Sequence, residues 1–359
     1  MDTSRRIKAL KRELEKTGLD AYISFHSQRY FSLTSAGKAA IIPADGDPIL
    51  ICSRLEFWQA KEESAISDIR AFSSWESPKA PGENVYFMDF WKLIGLSLHE
   101  IGALSVGYEN ASRDFIKKLK AVHPAGYREA PEIVVNLRKI KSREEIACLE
   151  KSAKIAVRGM RCAEESIAVG RSELEIAGEI EREMRRAGSE GTPFPTIVAS
   201  GKNSWHPHYT AGQKKIGRGE LVVVDLGATW KGYASDMTRT FAISPTRRQS
   251  KLLETVKAAH DAASKNLRAG VGAKDIDAAA RRIIEKAGLL RFLPHGCGHG
   301  VGLDIHEPPS LAPNSRDILA EGMVITVEPG AYVRNIGGAR WENMFLILRK
   351  GCRALTEAF

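Results

Sequence analysis

Apolar positions in the N-terminal third of the chain alternate between helical spacing and short continuous runs. Ile7, Leu10 and Leu14 recur at the spacing of one helix face. Gly18 then gives a typical helix end. The predicted strands that follow are Ala21–Phe25, Ala39–Ile42, Ile49–Cys52 and Leu104–Tyr108, and the predicted helices are Val85–Gly95 and Arg113–Ala121. This alternation of strands and helices predicts a smaller α/β domain over residues 1–130.

The remainder of the chain shows long amphipathic helices and separate groups of strands. Ser142 with Glu145 has the form of a capping box at the start of one helix. The predicted helices are Ser142–Ile167, Ser172–Gly188, Pro245–Leu267 and Ala273–Ala287, and the predicted strands are Thr196–Ser200, Leu221–Leu226, Ser235–Ile243, Met323–Glu328 and Trp341–Leu348. Because helices and antiparallel-looking strands come in blocks, we expect an α+β domain over residues 131–359, starting where Pro131 interrupts the pattern.

The composition is that of an ordinary globular protein. The chain has 359 residues, 27% charged and 43% hydrophobic, which disfavours disorder, collagen and coiled coil. The net charge of +9 is spread along the chain, so we expect no nucleic-acid partner. No apolar run approaches the roughly 20 residues that span a bilayer, so we expect no membrane partner. The five cysteines lack CxxC spacing, and the first residues do not form a secretory signal, which together favour a cytoplasmic location.

Four carboxylates and one histidine lie near the ends of predicted strands in the second domain. They are Asp225, Asp236, His299, Glu328 and Glu342. A hairpin would bring Asp225 and Asp236 together, and two carboxylates in one site repel each other unless a cation lies between them. Oxygen-rich ligand sets suit hard divalent cations, and four carboxylates match two such cations in charge. Each residue alone fits an ordinary surface or core position, so it is the set that indicates a metal site.

Five short motifs contain these residues in the order found in a known family. They are Val224-Asp225-Leu-Gly-Ala, Ser235-Asp236-Met-Thr-Arg-Thr, Gly298-His299-Gly-Val-Gly-Leu, Val327-Glu328-Pro-Gly and Arg340-Trp-Glu342. In these motifs the chain resembles the pita-bread metallopeptidases, and within them the aminopeptidase P and prolidase group. The resemblance implies a C-terminal pita-bread domain preceded by a creatinase-like N-terminal domain, and a homodimer. It also implies two divalent metal ions bound by the five residues, with Mn²⁺ expected first and Co²⁺ or Zn²⁺ as alternatives.

The same resemblance implies roles for further residues around the metals. His208 would bind the substrate and steady the scissile carbonyl oxygen, and His306 would contact the substrate and shuttle protons. His295 would line the pocket for the proline ring, and Arg340 would join the ligand shell and the substrate site. Glu328 would act as general base for the attacking water as well as a metal ligand. Catalysis would therefore depend on His208, His306 and Glu328.

Three functions remain open from the sequence. The sequence favours an aminopeptidase that removes the first residue from peptides with proline in second position. The reason is Ser310, which stands where dipeptidases of this group carry an arginine that binds the substrate carboxylate. The alternative is an Xaa-Pro dipeptidase. A non-catalytic binding protein is disfavoured because all five ligands are present. Cys297 lies between His295 and His299 and allows a His-Cys-His zinc site, but the nearby carboxylates and glycines favour a small packed thiol.

Overall fold

The computed structural model describes residues 3–357, and the chain divides into two compact units, residues 1–137 and 138–359. The sequence predicts the boundary near residues 127–141, with the second domain starting at residue 131, and the division at 137/138 falls in that range. Pro131, expected to interrupt the pattern, begins a helix, because proline fits the first helical position, whose N–H needs no partner. The boundary between the two units lies within that helix. Within the described residues, no helix is both long enough and apolar enough to cross a membrane.

In the described part of the first unit, seven strands form one mixed sheet. The strands are β1 (Ala21–Ser24), β2 (Ala39–Pro43), β3 (Ile49–Ser53), β4 (Asp68–Phe72), β5 (Val85–Tyr86), β6 (Ser105–Tyr108) and β7 (Gly126–Glu129), and the helices are α1 (Thr3–Thr17), α2 (Gln28–Ser32), α3 (Phe57–Glu63), α4 (Phe90–Glu100), α5 (Arg113–Val122) and α6 (Pro131–Lys139). The strand order is β5-β4-β3-β2-β1-β6-β7, with β2 antiparallel to both neighbours and the other pairs parallel. The predicted α/β character of this domain is confirmed.

The predicted helix Val85–Gly95 is wrong in its first part. That part contains the edge strand β5, and the helix α4 begins only after Asp89. The carboxylate of Asp89 accepts hydrogen bonds from the backbone N–H groups of Trp91 and Lys92, both at 3.0 Å. An N-cap of this kind satisfies free N–H groups of the first turn, so it determines where the helix starts.

In the described part of the second unit, two pairs of helices each pack on an antiparallel sheet. The helices are α7 (Arg143–Ser166), α8 (Glu173–Arg186), α9 (Arg247–Ser264) and α10 (Ala273–Lys286), and the strands are β8 (Ile197–Ser200), β9 (Glu220–Leu226), β10 (Thr229–Trp230), β11 (Tyr233–Ala234), β12 (Met237–Ile243), β13 (Gly298–Gly300), β14 (Glu307–Leu311), β15 (Val324–Val327), β16 (Gly330–Val333), β17 (Gly337–Arg340), β18 (Asn343–Ile347) and β19 (Cys352–Ala354). The sheets have the orders β12-β9-β8 and β14-β13-β15-β18-β19, and β10–β11 and β16–β17 form hairpins. This arrangement confirms the predicted α+β class.

Two apolar cores hold the helix pairs on their sheets. Ile180 of α8 and Val222 of β9 are fully buried in the first core. Ile284 of α10 and Ile325 of β15 are fully buried in the second. Fully burying one such side chain stabilises the fold by about 1.5–3 kcal/mol, so the two layers fix each sheet firmly. The polar residues of the site are then carried at the strand ends of these rigid sheets.

Candidate metal centre and active site

The first sheet brings Asp225 and Asp236 together as the sequence predicts. Asp225 lies near the end of β9, and Asp236 directly precedes β12, which runs antiparallel to it. The register pairs Asp225 with Thr238, so the two carboxylates lie at the same end of the hairpin. Both residues are buried, although their backbones belong to strands whose apolar side chains fill the first core.

The second sheet supplies the other three predicted ligands. His299 lies in β13, Glu328 directly follows β15, and Glu342 directly precedes β18. Because β15 and β18 pair antiparallel, the ends that carry the two glutamates adjoin each other. The backbone N–H of Glu342 donates to the carbonyl oxygen of Thr238 at 3.1 Å, which ties this sheet to the first one beside the site.

The five side chains converge on one cavity of about 720 Å³. His299 Nε2 lies 3.5 Å from Asp236 Oδ2 and 3.4 Å from Glu328 Oε1. Asp236, His299 and Glu342 each offer a ligand atom within 4.8 Å of the others. Asp225 lines the same cavity. The donor set is therefore four carboxylates and one imidazole gathered at one place.

The electrostatics of this cluster fit bound cations. Among the described residues, Asp225 Oδ1 and Glu342 Oε1 are buried oxygens without a hydrogen-bond partner. Burial, followed by the charges of neighbouring carboxylates, raises the pKa of Asp236 and of Glu342 well above the usual range. Unpaired buried carboxylate oxygens are costly, and a divalent cation would satisfy them and remove the mutual repulsion. The residues present thus fit a divalent metal group.

Arg340 lies against the ligand shell. Its guanidinium donates to Asp225 Oδ2 at 2.6 Å, to the Tyr332 hydroxyl at 2.7 Å and to Thr238 Oγ1 at 3.1 Å. Thr238 Oγ1 in turn donates to Glu342 Oε2 at 2.7 Å. These contacts fix one oxygen of each of two carboxylates and leave the other oxygen for a metal. Sequence analysis gave no role to Tyr332 or Thr238, because tyrosine and threonine are common residues within strands.

The three further histidines that the sequence singles out line the same cavity. His208 and His306 are exposed, whereas His295 is half-buried, with Nε2 3.0 Å from the Tyr332 hydroxyl. The ring of His306 meets the ring of His299 edge-on at a centroid distance of 4.4 Å. Desolvation within the cavity lowers the pKa of His295 and of His306, which favours the neutral imidazole, a form that can donate or accept a hydrogen bond.

The loop that carries His208 is held by residues that the sequence does not single out. Glu173 is fully buried and accepts hydrogen bonds from the Ser200 N–H at 2.7 Å and from Asn203 Nδ2 at 3.0 Å. Asn203 Nδ2 also contacts the hydroxyl of Tyr209 at 2.7 Å, and Tyr209 lines the cavity. In the sequence, Glu173 is notable only because it follows the cap residue of a predicted helix, and this position does not indicate a role near the cavity.

Cys297 packs as a buried thiol. Its side chain is fully buried in the core beneath the second sheet, and burial raises the pKa of the thiol well above its usual value. A protonated thiol is a poor metal ligand. Among the described residues, the side chains close enough together to bind a metal ion are Asp236, His299 and Glu342, and Cys297 is not one of them. The packed interpretation of Cys297 therefore agrees with its position in the fold.

Comparison with known proteins places this geometry in a family. The profile described as metallopeptidase family M24 matches residues 147–349, and the Creatinase/Prolidase N-terminal domain matches residues 6–140. The chain belongs to metallopeptidase family M24. It is therefore a metallopeptidase, of a family that uses divalent metal ions, and the predicted pita-bread domain with its creatinase-like N-terminal domain is confirmed.

Individual relatives point to proline peptidases. An Xaa-Pro dipeptidase of Pyrococcus horikoshii is 35% identical over 361 residues, covering 99% of this chain and 97% of the relative. The structure of an Xaa-Pro dipeptidase from Bacillus anthracis matches with a TM-score of 0.90 at 29% identity, covering 100% of this chain and 98% of that one. An X-Pro aminopeptidase from Thermotoga maritima matches with a TM-score of 0.83 at 29% identity, covering 97% and 98%.

Proposed function

We propose that this metallopeptidase is an Xaa-Pro dipeptidase that hydrolyses the bond before proline in dipeptides. The observation that carries the proposal is the 35% identity, over 99% of the chain, to a relative named Xaa-Pro dipeptidase. The cluster of four carboxylates and one histidine supports it, because it supplies the ligands that a metal-dependent hydrolase needs.

Two divalent cations are proposed to bind this cluster, with Mn²⁺ as the first candidate. The ligands would be Asp225, Asp236, His299, Glu328 and Glu342. Four carboxylates and one arginine leave a formal charge of −3 before any cation binds, which one divalent ion does not neutralise. When bound, the cations would supply the Lewis acidity that lowers the pKa of water and polarises the amide carbonyl.

Glu328 is proposed as the general base as well as a ligand. It is more exposed than Asp236, with 20% of its side chain accessible against 7%. In the metal-free protein, burial raises the pKa of Glu328 above its usual value, and bound cations would oppose this rise. Its proposed role as base therefore rests on position, since this partly exposed carboxylate faces the cavity where the attacking water would lie.

The histidines are proposed to act on the substrate. His208 would donate a hydrogen bond to the oxyanion that develops at the scissile carbonyl, and His306 would pass a proton to the leaving nitrogen. His295, beside apolar lining residues such as Phe194 and Ile305, would contact the proline ring. A pocket for the ring matters because the nitrogen of an Xaa-Pro bond carries no hydrogen for the enzyme to bind.

The aminopeptidase preferred from the sequence is less well supported than the dipeptidase. That preference depended on Ser310, which is exposed and lines the cavity. A relative that is 35% identical over 99% of the chain is nevertheless named an Xaa-Pro dipeptidase. The homodimer and the cytoplasmic location stay predictions.

The deciding experiment compares substrates of different length. The purified protein is stripped with a chelator, reloaded with Mn²⁺, and assayed on an Xaa-Pro dipeptide, its C-terminal amide and an Xaa-Pro-Xaa tripeptide, with an Xaa-Ala dipeptide as the control for proline. We expect the free dipeptide to be cleaved with the highest kcat/KM, and only after metal is restored. Efficient cleavage of the tripeptide with a poor rate on the free dipeptide would assign the aminopeptidase function instead.

A further inference from the structure

A cluster of four charged residues, buried except at Asp304, includes two residues of the loop that carries His306. Glu307 accepts hydrogen bonds from Lys141 Nζ at 3.1 Å, from the backbone N–H of Asp304 at 3.2 Å, and from the Arg138 guanidinium. Arg138 also contacts Asp304 at 2.6 Å. The side chains of Lys141 and Glu307 are only 1% and 5% exposed. We call these four residues the Glu307 clamp.

The Glu307 clamp pairs each of its charges with an opposite charge. Burial alone would raise the pKa of Glu307, but the charges of Lys141 and Arg138 lower it below its usual value. Two cations meet two carboxylates, so the cluster is neutral as a whole. Breaking such a buried pair by removing one partner is strongly destabilising, so the position of Glu307 is tightly defined.

The backbone around the Glu307 clamp is shaped to accept it. A Cβ atom at Gly302 would collide with the Glu307 carboxylate, so glycine leaves the space that this carboxylate fills. The N–H of Gly302 donates to the carbonyl oxygen of Asp304 at 3.1 Å. The carbonyl oxygen of Gly302 accepts from the N–H of Ala234 at 2.8 Å. The loop over residues 302–307 is therefore folded closely around one side chain.

His306 has no comparable anchor of its own. Within residues 3–357, its ring has no hydrogen-bond partner, and its closest ring neighbour is His299 at a centroid distance of 4.4 Å. The direction of the imidazole is then set by the backbone of its own loop. Because Glu307 is the next residue and is held on three sides, its contacts determine where that backbone lies.

We propose that Glu307 is a positioning residue, held by Lys141 and Arg138, that sets the orientation of His306 toward the substrate. The proposal rests on the proposed role of His306 in Xaa-Pro hydrolysis. None of the four clamp residues is assigned a catalytic or metal-binding role.

The test combines a double-mutant cycle with a measurement that does not depend on activity. Glu307→Gln, His306→Ala and the double variant are assayed with Mn²⁺ on an Xaa-Pro dipeptide, and bound metal is quantified by mass spectrometry. Hydrogen exchange of the amides of residues 302–307 is measured in the metal-free proteins. Lys141→Met removes the positive charge that pairs with Glu307, and this variant replaces Glu307→Gln in the test if Glu307→Gln fails to fold. Glu145→Gln is the matched control, since Glu145 is also a buried carboxylate that accepts a backbone N–H, at 2.9 Å from Ser142, and it does not line the cavity.

We expect Glu307→Gln to lower kcat at least about tenfold, the effect of losing one charged hydrogen bond, with KM and metal content nearly unchanged. In the His306→Ala background the same substitution should change kcat by less than about twofold, because the two residues act through one imidazole. Loop amides should exchange at least about tenfold faster in Glu307→Gln and Lys141→Met. The Glu145→Gln control should change neither kcat nor loop exchange.

Two results would overturn the positioning role. One is a fold-decrease in kcat of the double variant that equals the product of the fold-decreases of the two single variants. The other is loop exchange in Glu307→Gln and Lys141→Met that matches the unsubstituted protein. A parent protein that cleaves no Xaa-Pro dipeptide would refute the proposed function instead, and loop exchange would then still decide whether Glu307 holds the His306 segment.

Discussion

Replacing Glu342 by glutamine tests the charge balance of the metal cluster directly. Glu342 is 1% exposed, and one of its oxygens lies within 4.8 Å of a ligand atom of Asp236. Two unit charges at this distance repel by roughly 3.5 kcal/mol at an effective dielectric constant of about 20. Glutamine keeps the shape of the side chain and still accepts the hydrogen bond from Thr238, so the substitution removes mainly this repulsion.

The metal-free Glu342→Gln protein should therefore be more stable than the parent at pH 7.5. Arg340 already offsets part of the repulsion, so we expect a gain of about 1–3 kcal/mol in the free energy of unfolding. For a unit of this size, this corresponds to a rise in Tm of roughly 2–10 °C. With Mn²⁺ added, the parent should become more stable than the variant. Metal binding stabilises the folded protein, and the variant binds Mn²⁺ more weakly because it has lost one ligand.

The dependence on pH has a definite sign. The pKa of Glu342 is raised in the folded state, so its contribution to stability is fully present below its unfolded pKa, about 4.3. That contribution is lost as pH rises through the higher folded pKa. The metal-free parent should therefore lose stability as pH rises above about 4, and Glu342→Gln should flatten this slope.

Thermal unfolding followed by circular dichroism, with and without Mn²⁺ at several pH values, measures both effects. Glu145→Gln is the control, because it removes a buried carboxylate outside the cluster and should lower Tm with or without metal. The reasoning would be refuted if Glu342→Gln lowered the metal-free Tm as much as the control does while keeping the full shift with Mn²⁺.

Four other substitutions test the remaining roles. His208→Ala and His306→Ala should each lower kcat by about 10²–10⁴-fold with metal content unchanged, and loss of metal in a variant would reassign that histidine to the ligand set. In Arg340→Lys, the lysine cannot donate to Asp225 and to the other partners of Arg340 at once, so the Mn²⁺ concentration for half-maximal activity should rise about 10–100-fold. An unchanged concentration would show that Arg340 does not support the metal ligands. Ser310→Arg should lower KM for the dipeptide relative to the tripeptide by roughly 10–100-fold, and an unchanged ratio would show that residue 310 does not meet the substrate carboxylate.

The candidate metal site could be proposed from the sequence because its residues break a strong local pattern. Asp225 ends a run of apolar residues, and Glu328 ends another directly before Pro-Gly. A carboxylate at such a position contradicts the expectation for a buried strand, so it needs a chemical reason. The structure places both residues beside one cavity, together with the histidines that the resemblance singled out.

Short strands and the helix that contains the unit boundary could not be predicted in the same way. Gly298–Gly300 and Gly337–Arg340 are strands of three and four residues that contain glycines, so they lack the side-chain alternation on which strand prediction depends. Pro131 was expected only to interrupt the pattern, and in the structure it also begins a helix. A proline breaks a helix in its interior but fits its first turn, and only the surrounding structure distinguishes the two positions.

Residues that hold the proposed catalytic side chains are harder to recognise in a sequence than the proposed catalytic residues themselves. Glutamates are usually exposed, so a sequence gives no reason to place Glu173 or Glu307 in the interior. The cation that makes burial of Glu307 tolerable is Lys141, 166 residues away along the chain. Burial and pairing are properties of the folded chain, whereas a ligand motif is local. A buried carboxylate that is fully paired beside a cavity and absent from the reaction is therefore the structural signal by which such positioning residues can be recognised.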